Sequence, residues 1–298
     1  MGTEKANEKK VNLGVELLVS VTPHIENLLN REVNIFLIGA DIKNKKSMRY
    51  KIQVALENLR FTKVNILLPE TIFEDQIMLK EFNMLSLENK LAESVDAVVM
   101  CIESPGSYTE LGAFANHDKL NKKLIVCQDK RYSRAQSFIN MGPIKYLKSN
   151  TDSIVYYENY NEPFDNKKIT NLLKNIREVK KDNEDVTYDI FNPLFSEKYV
   201  LALLYVVETI DKAILINIIK KLEVSSNETK KEEIISVFLS SISTLSNKRE
   251  VKINSINKSY SLTKKGKRRI ELEYPPYFVH SNLDIFRIKM LNFKNKKV

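Results

Sequence analysis

Five short apolar runs, each stopped by turn residues, constrain this chain more than any other feature. Val33–Ile38 ends at Gly39, residues 64–68 end at Pro69, and Ala97–Ile102 ends just before Ser104-Pro105-Gly106. Residues 124–127 follow a lysine pair, and residues 153–157 form the fifth run. β-Branched runs without polar alternation read as strands buried on both faces. The stretches between them carry helical spacing: Met48, Ile52, Leu56, Leu59; then Leu85, Leu87, Leu91, Val95; then Leu111, Phe114, Ala115, Leu120; then Ile169, Leu172, Leu173, Ile176. Strand–helix alternation demands right-handed crossovers and therefore a parallel sheet.

The expected architecture is α/β: a flavodoxin-like, doubly wound parallel five-stranded sheet over about residues 11–181. Such sheets place their sites at the carboxyl ends of the strands. The charged stretch Lys180-Lys181-Asp182-Asn183-Glu184-Asp185 marks the boundary, giving domains 1–185 and 186–298. Beyond it, helical patterns over 199–208, 212–221 and 232–245 precede two alternating stretches, 251–254 and 260–263. Three helices and then a β-hairpin is the order of a smaller winged helix-turn-helix domain. The phrase Tyr260-x-Leu262-Thr263-x-x-Gly266, leading into a further helix, resembles the end of many winged-helix domains.

Charge separates the two halves. The chain of 298 residues has a formal net charge of +9. From Ser246 to Val298, 14 basic residues face 4 acidic ones, so the whole excess lies there and the rest is close to neutral. A hydrophobic content of 43% excludes global disorder. No apolar run approaches the roughly 20 residues that cross a bilayer, and the polar start MGTEKANEKK lacks a signal core. Gly2 matches a myristoylation start, but Ala6 stands where Ser or Thr is required. Two cysteines inside apolar runs, Cys101 and Cys127, read as buried free thiols of a cytoplasmic protein. With His24, His117 and His280 scattered, no metal site is expected. Neither a phosphate-binding Walker loop nor a dinucleotide glycine fingerprint is present, which argues against an ATPase or a hydride-transfer enzyme.

The segment Glu103-Ser104-Pro105-Gly106-Ser107-Tyr108-Thr109-Glu110-Leu111-Gly112-Ala113-Phe114-Ala115 carries the most chemistry. It follows the third strand directly. Pro105-Gly106 is expected to turn the chain, and Ser or Thr to cap a helix with Glu110 in its first turn. A carboxylate there lies beside free amide groups that keep it ionised, as a nucleophile requires. Gly112 leaves room for a close approach. The alternative is a solvated Glu favoured by the helix dipole.

Strand, small-residue turn and Glu-Leu-Gly helix together resemble the nucleoside deoxyribosyltransferase superfamily. Leu85-Ser86-Leu87-Glu88-Asn89, Leu91-Ala92-Glu93, Val95-Asp96, Glu103 through Phe114 and Asn116 look like the effector proteins of retrons. So do Lys123-Leu124-Ile125, Gln128-Asp129 and Ser137-Phe138-Ile139-Asn140-x-Gly142-Pro143. The resemblance implies an anti-phage toxin that joins a deoxyribosyltransferase-like domain to a winged helix. It further implies control by a reverse transcriptase and its multicopy DNA–RNA hybrid in a higher-order oligomer.

The implied reaction is N-glycosidic cleavage with NAD⁺ as substrate and no resident cofactor, Glu110 attacking the sugar. Nicotinamide leaves NAD⁺ neutral, so a single carboxylate suffices. An ordinary nucleoside needs a general acid too, for which Glu88 and Asp41 are the candidates. Asp41 is either a sugar or base contact or a helix cap. Gly39, Ala40, Ser104, Gly106, Ser107, Tyr108 and Asn116 are candidate substrate contacts, Ser107 and Tyr108 alternatively capping and packing. The transferases place an Asp several residues ahead of the nucleophile, where this chain has Ser104 and Glu103, which favours hydrolysis over transfer. A base hydrolase or transferase acting on other nucleosides, and a nucleotide-sensing regulator without catalysis, remain as alternatives.

The basic end offers Arg249, Lys252, Lys258, Lys264, Lys265, Lys267, Arg268 and Arg269 for phosphate contact, with Tyr260, Tyr274, Tyr277 and Phe278 nearby in sequence. The helical pattern at 232–245 has acidic Glu232 and Glu233 and a Ser-rich exposed face, which argues against base readout.

Overall fold

The computed structural model describes residues 2–59, 63–70, 91–182, 190, 192–222 and 228–295. They form two compact units, residues 31–187 and residues 1–30 together with 188–298.

In the first unit, β1 (Val33–Ile38), β2 (Val64–Leu67), β3 (Ala97–Ile102), β4 (Leu124–Asp129) and β5 (Ile154–Glu158) make one parallel sheet, ordered β2-β1-β3-β4-β5. This is the flavodoxin-like order, and its direction reverses between β1 and β3. Every residue of β1, β3 and β4 is buried, the apolar runs as expected and with them the polar Asn34, Gln128 and Asp129. On one face Val33, Ile35, Leu37, Ala97, Val99, Cys101, Ile125 and Cys127 pack against α1 (Met48–Glu57) and α2 (Asn166–Asp182). The two thiols are register partners on adjacent strands, free and buried, and burial pushes the Cys101 thiol up. The helix patterned on Leu85 to Val95 lies largely outside the described residues.

In the second unit, α3 (Gly2–Arg31) opens the chain. The sequence pattern places residues 11–30 with the α/β unit, but residues 1–30 join the C-terminal unit instead. Leu13, Leu17, Val21, Ile25 and Leu29, spaced by four, are all buried. The Tyr199 hydroxyl donates to the Gly14 carbonyl (2.8 Å), and His24 stacks on Phe278 with ring centroids 3.9 Å apart. Then follow α4 (Pro193–Val207), β6 (Thr209–Asp211), α5 (Lys212–Lys221), α6 (Glu228–Asn247) and a hairpin of β7 (Val251–Asn254) and β8 (Ser259–Leu262). Their antiparallel sheet is ordered β6-β8-β7. Helices α7 (Lys264–Glu273) and α8 (Asp284–Asn295) complete the unit.

The Thr-x-x-Gly phrase acquires a physical reason. Thr263 caps α7 by accepting from the Gly266 amide (3.1 Å), and its hydroxyl donates to the Arg249 carbonyl (2.8 Å). A Cβ on Gly266 would collide with the Glu250 backbone carbonyl, which has no side-chain freedom to yield. Gly266→Ala is therefore expected to destabilise this unit by about 1–3 kcal/mol, despite alanine's better helix propensity. Chemical denaturation checks this; a midpoint equal to or above wild type would mean that the backbone yields to the added methyl.

Candidate active site

The loop after β1 and the loop after β3 meet at the point where strand order reverses. Glu103 joins them. Its carboxylate accepts from the amides of Ala40 (3.2 Å), Met48 (2.8 Å) and Arg49 (3.0 Å), so it caps the start of α1 from a neighbouring strand. Gly39 lies against it: an added Cβ would sit 2.8 Å from Arg49 Cβ and 2.9 Å from Glu103 Oε1. The Arg49 side chain is buried. It donates to the Ala40 carbonyl (2.9 Å) and makes a two-pronged pair with Glu70 at 2.5 and 2.6 Å. In sequence Glu103 stands out only as a departure from the transferase pattern, and Arg49 and Glu70 do not stand out at all. The available signal was a carboxylate continuing an all-apolar strand, with a glycine at the same place after β1.

The helix that follows β3, α9 (Pro105–Ala115), starts earlier than the sequence pattern suggests. Ser104 is its N-cap, accepting from the Ser107 amide, and Pro105 is the first helical residue rather than part of a turn. Glu110 is therefore the sixth residue of the helix and stands in its second turn, and the first turn contains no acidic residue. The helix dipole does not account for an ionised Glu110 there, because its effect fades within the first turn. Glu110 is half-buried. It shares a helix face with buried Ser107 and Phe114, three residues before and four after it, and a helical side chain leans back over the preceding turn, here towards Gly106 and Ser107.

The other expected contacts divide. Ser104 Oγ donates to the Gly39 carbonyl (3.1 Å), tying the β3 loop to the β1 loop. Ala40 has both peptide groups engaged, by Glu103 and Arg49. Ser107 is fully buried, and its hydroxyl accepts from the Glu103 and Ser104 amides and donates to the Ser104 carbonyl. It builds the turn, so its reading as a sugar contact gives way to capping. Gly106 and Tyr108 are exposed on the first turn of α9. Gly112 is open: beyond its chain neighbours and the backbone of its own helix, no described atom lies within 4 Å of an added Cβ. Asn116 is the C-cap, about 9 Å along the axis from Glu110, at the end of α9 away from the β1 and β3 loops. Asp41 is exposed and accepts from the Lys43 amide (2.8 Å). It orders its loop and does not cap α1, whose N-cap is Ser47. Glu88 lies outside the described residues.

Beyond β4 the chain makes a π-helical turn, Asn140–Ile144, that packs on α9. π-Turns occur frequently at functional sites. Phe138, Met141, Tyr132 and Tyr146 in this connection are exposed.

In the C-terminal unit, Arg249, Lys252, Lys258, Lys264, Lys265, Lys267 and Arg268 are exposed, as a phosphate-binding surface requires. Arg269 is not available to such a surface. It donates to Glu250 (2.5 Å) and Glu273 (2.9 Å) and lies 3.4 Å from Glu197. Tyr260, Tyr274 and Phe278 are buried, so of the four expected aromatics only Tyr277 faces outward.

Sequence comparison decides the family. The family described as STM3845 retron effector protein matches residues 45–262. A protein of Escherichia coli named "Retron Ec86 putative ribosyltransferase/DNA-binding protein" is 32% identical over 282 residues, 90% of this chain and 87% of its own length. The chain belongs to the retron effector family. A second E. coli relative, named in the same words for retron Ec73, is 30% identical over 166 residues, 54% of this chain and 48% of its own. Among the described residues of this retron effector, no helix is long and apolar enough to cross a membrane.

Proposed function

We propose that this retron effector cleaves the N-glycosidic bond of NAD⁺, with Glu110 as the carboxylate that meets the anomeric carbon. The observation that carries this is the helix α9, which leaves the end of β3 at the strand-order reversal and carries Glu110 on its half-buried face. The ribosyltransferase in both relatives' names supports the same chemistry. In the proposed step the bond from C1′ to the pyridinium nitrogen breaks and its electron pair neutralises the ring. Glu110 bonds to C1′, and water then displaces it, leaving ADP-ribose, nicotinamide and a proton. No group has to protonate the departing nicotinamide.

The test is incubation of purified protein with NAD⁺ and, separately, with deoxynucleotides, followed by chromatography for free base. Nicotinamide from NAD⁺ is the expected product. Release of adenine or another base from deoxynucleotides alone would replace NAD⁺ by a nucleoside substrate. No release from either would overturn the reading.

We propose that the C-terminal unit contains a winged helix: α4, β6, α5, α6 and the β7–β8 hairpin follow one another in the order helix–strand–helix–helix–hairpin. We propose that it holds the retron DNA–RNA hybrid by its phosphates, within a cytoplasmic assembly with the reverse transcriptase that restrains a toxic activity. Substituting Lys264, Lys267 and Arg268 by Gln is expected to weaken binding of a DNA–RNA hybrid. The slope of log affinity against log salt should become shallower by about one for each phosphate that is no longer neutralised. An unchanged slope in a filter-binding titration would remove this face from the interface.

A further inference from the structure

Gln128 stands near the carboxyl end of β4, and the structure uses its side chain in an unusual way. Its Nε2 donates to Asn140 Oδ1 (2.9 Å). The orientation of both amides is determined by what surrounds them. Asn140 Nδ2 donates to the carbonyls of Tyr132 and Ala135, both at 2.7 Å, so Asn140 must offer its oxygen to Gln128. Gln128 must in turn offer its nitrogen. Its own oxygen, Oε1, is left buried with no hydrogen-bond partner, in a side chain only 4% exposed. Leaving a buried acceptor unpaired is destabilising, and three hydrogen bonds are arranged so that this oxygen is the one left over.

Its position is informative. Gln128 is the register partner of Ile102, the residue before Glu103 and Ser104. The alternation along β4 places it on the opposite face from Ile125 and Cys127, which pack under α1 and α2. The segment that orients it contains the π-turn packed on α9, the helix of Glu110. An oriented, unsatisfied acceptor thus stands at the carboxyl end of the strand next to β3.

We propose that Gln128 Oε1 reads an N–H donor on the departing base, with Asn140 as the positioning residue. The ligand chemistry is an unsubstituted NH₂ carried by a planar heteroaromatic base, either the carboxamide NH₂ of nicotinamide or the exocyclic amine of adenine. This rests on the assignment of the site to base release, but binding of a free base tests it without turnover.

The experiment compares two ligand pairs on the full chain by calorimetry or ligand-observed NMR. Nicotinamide is set against 3-acetylpyridine, which replaces the NH₂ by methyl, and adenine against purine, which lacks the amine. Wild type is expected to prefer the NH₂-bearing member of one pair by about 10- to 100-fold. Gln128→Leu should erase that preference while still binding the member without NH₂. In Gln128→Glu, the protonated acid can donate to Asn140 and still present an oxygen, so the preference should return as pH falls. The proposal is overturned if wild type binds both members of each pair equally, or binds none of the four. It is also overturned if Gln128→Leu keeps the preference, which would mean that the oxygen meets only water. The wild-type comparison stands even if the leucine variant fails to fold. A preference for NH₂ without base release from any nucleotide would sink the catalytic reading and leave this one intact.

Discussion

Glu110→Gln is expected to lower base release by about 10²–10³-fold and leave the unfolding midpoint near that of wild type. Glutamine matches glutamate in volume and nearly in helix propensity, so α9 should keep its packing through Leu111 and Phe114. On the proposed reading, what disappears is the negative charge that meets the anomeric carbon, whether as nucleophile or as stabiliser of an oxocarbenium-like state. Loss of one preorganised electrostatic contact of this kind costs about 3–4 kcal/mol of barrier. The measurement is nicotinamide release by chromatography beside a urea titration. A variant rate within tenfold of wild type at equal stability would remove Glu110 from the chemistry. A lost rate accompanied by lost stability would point instead to a role in holding α9.

Arg269→Ala should be the most destabilising substitution in the C-terminal unit, by about 3–5 kcal/mol. Three carboxylates, Glu197, Glu250 and Glu273, face Arg269, Lys248 and Lys198. Lys198 lies 3.3 Å from Glu273, and Lys248 lies 3.0 Å from Glu197. Burial disfavours the charged forms of Glu197 and Arg269, but their partners prevail. Lys248 and Arg269 hold the Glu197 carboxyl below its ordinary value, and Glu273, Glu197 and Glu250 push the Arg269 guanidinium up. Removing Arg269 leaves buried carboxylates short of one cation.

The sign with pH follows from the same ion pairs. A depressed Glu197 contributes stability above its unfolded pKa, about 4.5, and that contribution is lost as pH falls through the folded value. Wild type should therefore weaken only in acid, and Arg269→Ala should already be weak at neutral pH. Urea midpoints from pH 3 to 8 check both. Neutralising its exposed neighbour Arg268 should leave stability within about 0.5 kcal/mol of wild type. Equal midpoints for the Arg268 and Arg269 variants would contradict the division between a structural and a surface arginine.

That division shows where a linear reading stops. Lys264 to Arg269 is one basic run in sequence, but a helix turns each successive side chain by about 100°, so Arg269 faces inward with Ile270 while Lys267 and Arg268 face water. Composition could locate the charge near the C-terminus but not sort it into surface and core. The aromatics behave in the same way: Tyr274 and Phe278 are consumed by stacking with His24, a residue some 250 positions earlier that precedes the α/β unit in the chain. Residues 11–30 carry a clear apolar row at intervals of four, but such a row says that a helix is covered, not by what.

What the amino-acid sequence determined by itself was the class and order of the elements. Unalternating β-branched runs separated by helical segments fit a parallel sheet, and that alternation gives way to helical patterns beyond the charged stretch at residues 180–185. It also placed Glu110 on the helix leaving β3. What only tertiary structure decided was the use of each polar group. Glu103 serves as a cap for a helix more than fifty residues earlier, Ser107 closes a turn, and Gln128 keeps one oxygen unsatisfied because Asn140 is already committed to Tyr132 and Ala135. Burial patterns are local because hydrophobic transfer depends on how much of a residue is covered. Hydrogen-bond roles are not local, because each depends on which donor or acceptor the fold brings within about 3 Å.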